Sequence, residues 1–210
     1  MSTRWSIVVP VKTLPAAKSR LAVFAGPARE RLALAIALDT VAAALACPRV
    51  ERLIVVTDDP VAAPPLVELG ALVVRDEPDA GLNPALRHGA AEALRLAPGS
   101  GVAAMQADLP AVRPGELTRV LDAADGFDES FLPDAAGTGT TLYAVRPGVP
   151  FEPRFGGASR DRHLDAGAKE LLLPGVSSVR RDVDTEADLR SALALGLGPR
   201  TAEVAATLMA

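Results

Sequence analysis

The feature that most constrains this chain is the alternation, through its first half, of short β-branched apolar runs with longer segments of helical character. Strand-length runs stand at Ser6 to Val11, Arg52 to Thr57, Ala71 to Arg75 and Val102 to Gln106. Between them lies Arg29 to Ala46, apolar over most of its circumference and stopped by Pro48. Shorter helical stretches follow at Val61 to Glu68, Pro84 to Leu96 and Pro114 to Asp122. A strand that is apolar at nearly every position is covered on both faces, and strand–helix–strand repetition demands crossovers. The expected fold is therefore α/β, a Rossmann-like, mostly parallel sheet flanked by helices.

Beyond residue 126 the pattern changes. Short strands at Ser130 to Pro133 and Thr140 to Arg146 enclose the turn-rich Asp134 to Gly139, which predicts an antiparallel hairpin in the C-terminal half. A polar, glycine-containing loop covers Pro153 to Ser159. Helices are expected at Arg160 to Lys169, Glu186 to Leu195 and Thr201 to Leu208, with a strand at Ser178 to Val183. No stretch has the character of a linker, so residues 1–210 read as one domain.

Composition narrows the partners. With 49% hydrophobic residues over 210 positions, the chain has ample material for a core. Its formal net charge is −4 and no Lys/Arg-rich run supplies an electrostatic footprint, so nucleic acid is not an expected partner. Apolar stretches break off before the ~18 residues of a membrane span, and no signal-peptide pattern opens the chain, which points to a cytoplasmic protein with no membrane partner. The single Cys47 excludes a disulfide framework or cysteine-rich zinc site and reads as a small buried hydrophobe. Lysine is scarce: only Lys12, Lys18 and Lys169 stand among 22 basic residues, and two of them follow the first strand.

In an open α/β sheet, ligands bind beyond the carboxyl ends of the strands. The first such loop, within VPVKTLPAAKSRL at Val9 to Leu21, holds Lys12, Lys18 and Arg20, a cluster suited to a polyphosphate, or otherwise a solvated basic turn. Neither G-x-G-x-x-G in the first turn nor a Walker A sequence is present. After the fourth strand, Asp108 in QADLP is placed either to hold a divalent cation against phosphates or to cap the next turn. In RDVDT, Asp182 and Asp184 alternate about Val183 and share one side of an extended segment, as metal ligands or with Asp184 or Thr185 capping the helix near Glu186. Three carboxylates without a His/Cys cluster favour Mg²⁺, with Mn²⁺ an alternative, over zinc. His88 and His163 fall in helical runs, where solvated or packed roles are expected.

Six segments in order carry a resemblance: VPVKTLPAAKSRL, GLNPAL at Gly81 to Leu86, ADLP at Ala107 to Pro110, LPDAAGTGTTL at Leu132 to Leu142, RFGGAS at Arg154 to Ser159, and DVDT at Asp182 to Thr185. Over nearly its whole length the sequence resembles the guanylyltransferases of coenzyme F-420 biosynthesis, which have a GT-A-like fold of the nucleotide-diphospho-sugar transferase type. These join GTP to 2-phospho-L-lactate or, in the actinobacterial branch, to phosphoenolpyruvate. The resemblance implies that Lys18, with Lys12 and Arg20, binds the triphosphate and that Leu82 and Asn83 meet the guanine. It makes Asp108, Asp182 and Asp184 the metal ligands, with Lys18 and Asp108 the catalytic pair, and places the phosphorylated three-carbon acid at Thr141, Gly156 and Ser159. The arginine- and alanine-rich composition favours phosphoenolpyruvate. The remaining readings are 2-phospho-L-lactate or 3-phosphoglycerate as acceptor, another GT-A-like enzyme such as a molybdenum-cofactor guanylyltransferase or a glycosyltransferase, and a catalytically silent GTP-binding module. The expected assembly is a monomer or homodimer.

Overall fold

In the computed structural model, which describes residues 3–77 and 79–209, the early β-branched runs form the centre of one seven-stranded sheet. The strands are β1 (Trp5–Pro10), β2 (Val50–Val56), β3 (Leu72–Val74), β4 (Gly101–Met105), β5 (Glu129–Pro133), β6 (Thr140–Val145) and β7 (Lys169–Glu170). Their spatial order is β3-β2-β1-β4-β6-β5-β7, and β6 alone runs against the others. The chain leaves β1 toward β2 and returns to the other side of β1 as β4. That reversal opens a crevice at the carboxyl ends of β1 and β4.

Helices cover both faces. They are α1 (Ala22–Ala25), α2 (Arg29–Leu45), α3 (Ala63–Glu68), α4 (Leu82–Leu96), α5 (Pro114–Ala124), α6 (Ser159–Asp165), α7 (Ser177–Arg180), α8 (Glu186–Leu195) and α9 (Pro199–Met209). Trp5, Ile7 and Val9 of β1 pack with α2 and α5 on one face, while Val8 joins Ile54, Val56 and α4 on the other. Two-sided burial explains why β1 reads as a continuous apolar run. A third cluster, with Leu32 and Ile36 of α2 against Leu189 and Val204, docks α8 and α9. Among the described residues, no helix is long and apolar enough to cross a membrane. Cys47 is buried and free.

Two expectations for the C-terminal half are corrected. Residues 178–183 are not a strand: Ser177–Arg180 form α7, and residues 181–185 run on outside the sheet. The Ser178 N–H and hydroxyl both donate to Glu116 Oε2 of α5, and Val179 is buried in the core, so tertiary anchoring overrides the β-branched pattern. The strand beside β5 is instead Lys169–Glu170, where a helix end was expected; Gly167, at φ +91°, closes off α6 before it.

Close approach of α4 to the sheet is set by Gly89. A Cβ there would lie 2.5 Å from Val8 Cγ1 and 2.7 Å from Val56 Cγ2. Gly89→Ala adds about 1 kcal/mol of helix propensity, but overpacking against two fixed strands costs about 1–3 kcal/mol. The expected outcome is a lower urea midpoint with an unchanged m-value.

His163 is fully buried between Phe131 and Tyr143, its ring 4.8 Å from that of Tyr143. Its Nε2 accepts from the Arg154 backbone N–H, so Nδ1 carries the proton and donates to Thr140 Oγ1 at 3.0 Å. Burial, and then the charges of Arg154 and Arg162, push its pKa down to about 4. The unfolded chain takes up this proton near pH 6.5 and the folded chain does not, so stability falls with pH from 6.5 and the loss levels off near 4. Wild type should be more stable than His163→Gln at neutral pH, and that gap should narrow by on the order of 3 kcal/mol between pH 6.5 and 4 in paired urea titrations. A constant gap would contradict a neutral buried ring.

Candidate functional site

The crevice is a cavity of about 400 Å³ at the ends of β1 and β4. Its first wall is the loop after β1, which folds as two short 3₁₀ turns, Leu14–Ala16 and Ser19–Leu21. Two charged side chains pin this loop. Asp59, buried after β2, accepts from the Leu14 N–H at 2.7 Å and from those of Val61 and Ala62 at 2.8 Å. Burial alone would raise its pKa, but these three donors hold the carboxyl below its usual range. From α2, Arg29 donates to the carbonyls of Leu14 and Ala17.

Lys18 follows at φ +52°, a left-handed conformation that costs a side-chain-bearing residue about 1–2 kcal/mol. It aims a largely buried ammonium at two acids: Nζ donates to Asp108 Oδ2 at 2.7 Å and to Asp184 Oδ1 at 3.0 Å. Burial works to lower the Lys18 pKa, yet the charges of Asp108 and Asp184 and the hydrogen bonds to both outweigh it and raise it. Arg20 Nη1 lies 3.7 Å from Asp184 Oδ2. Burial opposes ionisation of Asp184, but Lys18 first, then Arg20 and Lys12, hold its pKa down.

The acids converge through the backbone. The Val183 N–H donates to the Asp108 carbonyl at 3.0 Å and the Val183 side chain is fully buried, so both flanking carboxylates line the cavity. The capping reading falls to Thr185: it forms a capping box with Asp188 at the start of α8, which leaves Asp184 for Lys18. Among the described residues, the side-chain partner of Asp108 is Lys18 rather than a helix N–H, and Leu109, next to it, is anchored by its N–H to Thr40 Oγ1.

Asp182 has no such cation among the described residues. Burial, then the nearby charges of Asp108 and Asp134, push its pKa up to about 7. Asp108 Oδ1 is buried and, among the described residues, without a hydrogen-bond partner. An orphaned carboxylate oxygen beside a carboxylate driven toward neutrality is a donor set for a hard divalent cation. Among the described residues, no three His, Cys, Asp or Glu side chains enclose a metal unaided. A divalent cation here would need phosphate oxygens and water to complete its shell, as Mg²⁺ commonly does.

The opposite wall comes from α4 and the 153–159 segment. Leu82 and Gly156 line the cavity with Lys12, Lys18, Arg20 and the three aspartates. Three sequence candidates stand elsewhere. Asn83 spends its amide on the backbone of Phe155, donating to its carbonyl at 3.1 Å and accepting from its N–H at 2.9 Å, so it positions the wall. Thr141 is buried in β6, its carbonyl accepting from the Gln106 N–H and its hydroxyl unpartnered. Ser159 is buried at the start of α6. Neither lines the cavity.

Sequence reasoning missed Asp59, Arg29, Gln106 and Asp134. The TDDP sequence after β2 was the available signal for Asp59. Asp134 accepts from the Thr138 and Gly139 N–H groups inside the hairpin, a contact that requires Gly139, where a Cβ would fall 2.4 Å from Asp134 Oδ2.

Comparison with known proteins gives the family. The profile of the family described as "Guanylyl transferase CofC like" matches residues 5–208. The chain belongs to this CofC-like family. A relative from Thermomonospora curvata, named phosphoenolpyruvate guanylyltransferase, is 65% identical over 98% of this chain and 90% of its own length. One of the same name from Streptosporangium roseum is 66% identical over 95% and 90%. In fold, this CofC-like chain is similar to a nucleotidyl transferase from Methanothermobacter thermautotroptrophicus, with a TM-score of 0.63 and 23% identity over 91% of this chain and 97% of that one.

The pinned loop gives a direct test. Asp59→Ala removes the acceptor of three N–H groups and should cost about 2–4 kcal/mol of unfolding free energy. Lys12→Ala, on an exposed side chain, should stay within about 0.5 kcal/mol. Urea denaturation of the two variants checks this, and equal midpoints would refute the pinning role.

Proposed function

We propose that the protein is a phosphoenolpyruvate guanylyltransferase, transferring GMP from GTP to the phosphate of phosphoenolpyruvate in coenzyme F-420 biosynthesis. The observation that carries this reading is the meeting of Lys18 with Asp108, Asp182 and Asp184 at the carboxyl ends of β1 and β4. The names of the relatives at 65% and 66% identity support the acceptor.

In this reaction a phosphate oxygen of phosphoenolpyruvate attacks the α-phosphorus of GTP. The bond from that phosphorus to the β-phosphate oxygen breaks, giving pyrophosphate and enolpyruvoyl-2-diphospho-5′-guanosine. A phosphate monoester has a second pKa of about 6, so the nucleophile is largely ionised at neutral pH and needs no general base. What the protein must do is align two mutually repelling anions and stabilise the charge that develops on the leaving group.

Lys18, with Arg20 and Lys12, supplies fixed positive charge along the first loop for the triphosphate. Leu82 offers an apolar wall for the base, and Asn83 holds the Phe155–Gly156 backbone against which the acceptor is placed. Of the expected ligands Asp108, Asp182 and Asp184, the first two would hold Mg²⁺ or Mn²⁺ with phosphate oxygens and water completing the shell, while Asp184 is paired with Lys18; the ion when bound neutralises phosphate charge and polarises the reacting centre. Thr141 and Ser159 stand outside the cavity and contribute, on this reading, by supporting the acceptor side.

The test is pyrophosphate release from GTP with phosphoenolpyruvate, 2-phospho-L-lactate or 3-phosphoglycerate, with and without Mg²⁺. Phosphoenolpyruvate should give the highest kcat/KM. Asp108→Asn and Lys18→Ala should each lose about 10²- to 10³-fold in rate, roughly 3–4 kcal/mol, while remaining folded. Near-normal turnover of Asp108→Asn at saturating Mg²⁺ would remove the metal assignment. GTP binding without pyrophosphate release from any acceptor would leave only a silent binding module.

A further inference from the structure

A second hollow, of about 610 Å³ and more open to solvent, lies beside the first. The 153–156 segment separates them: Pro153 and Arg154 line the larger hollow, and Gly156 lines the nucleotide cavity. The charged lining of the second cavity is Arg87 from α4, Arg154 from the segment, and Arg162 and Asp165 from α6. Three exposed arginines from three parts of the chain thus line one open hollow together with a single acid.

Elsewhere, Arg49 is paired with Asp122 and Asp125, Arg160 with Glu170, and Arg190 with Glu186, while Arg119 and Arg180 donate to backbone carbonyls. In the second cavity, among the described residues, Arg87 alone of the three has a carboxylate within 4 Å. Among the described residues, Arg154 has no carboxylate within ion-pair distance and its guanidinium makes no hydrogen bond. Arg162 donates only to a neutral group, the Gly156 carbonyl. Arg87 reaches Glu152 at 3.8 Å, with both side chains well exposed. The surplus charge also registers at His163, whose neutral state is favoured first by burial and then by Arg154 and Arg162.

Planar guanidinium groups around a hollow of several hundred Å³ match a small ligand rich in phosphate or carboxylate oxygens. A concave, locally cationic site on a chain of net charge −4 selects a compact anion over a long polyanion. We propose that this cavity is a second oxyanion site, separate from the nucleotide cavity, that takes a small phosphate- or carboxylate-bearing molecule on Arg87, Arg154 and Arg162. Since Arg162 also holds the Gly156 carbonyl, a bound anion competes for the group that steadies one wall of the nucleotide cavity. Inorganic phosphate, pyrophosphate and phosphoenolpyruvate share the required chemistry, and separate titrations distinguish them.

The test is calorimetric titration of the full chain with each of these three anions at fixed ionic strength. It is run on wild type, on Lys18→Ala to weaken the nucleotide cavity, and on Arg154→Ala/Arg162→Ala. The proposal expects a saturable site that persists in Lys18→Ala, weakens at least tenfold in the double arginine variant, and shifts the ring resonances of His163 on occupancy. Arg87→Ala, on the helix side of the cavity, should weaken the same site without altering the 153–162 backbone, which guards against a folding effect in the double variant. Absence of saturable binding to all three anions would overturn the site. So would binding lost in Lys18→Ala, or binding kept at full affinity by both arginine variants.

Discussion

The ammonium of Lys18 is the interaction on which the arrangement of the site depends. It closes a bridge between Asp108, which follows β4, and Asp184, which precedes α8, while its own backbone sits in a left-handed conformation after β1. Three distant parts of the chain are thereby brought to one point. The cost of burying charge and of straining the backbone is offset locally by two charge-assisted hydrogen bonds, but a bridge of this kind adds little net stability. Its placement makes sense as preorganisation for an anionic ligand.

The neighbouring carboxylates support that view. Asp182 faces Asp108 and Asp134 without a cation, and Asp108 keeps one buried oxygen unpartnered. A protein selected only for stability would not gather these acids in a half-buried crevice. A divalent cation held by these carboxylates would relieve that repulsion.

Rigidity comes from residues that do not touch the ligand space themselves. Asp59 and Arg29 hold the N–H and C=O groups of the first loop, and Asn83 pairs with the backbone of Phe155 much as a neighbouring strand would. Each replaces the regular hydrogen bonding that an irregular loop lacks. Loops that carry charge at a site benefit from such ties, because electrostatic stabilisation depends on groups that need not reorganise.

The alternation of β-branched runs and helices was enough to specify the parallel sheet and the hairpin, because burial on both faces leaves a local signature in the strands. The order of six short segments pointed to the family, and the expectation that Lys18, Asp108, Asp182 and Asp184 converge came from the charged loops after the first and fourth strands and from the DVDT segment, which the structure brings to one cavity. Only the tertiary structure decided the rest. Residues 178–183 look like a strand but form α7, since Glu116 claims the N–H and hydroxyl of Ser178. Asn83 looks like a base reader but is spent on Phe155, and Thr141 and Ser159 lie outside the cavity. Sequence pattern records which residue types are available along the chain. Which of them keep a free polar group facing the crevice is settled by hydrogen bonds formed across long separations, such as that from Val183 to Asp108, and those leave no trace in local periodicity.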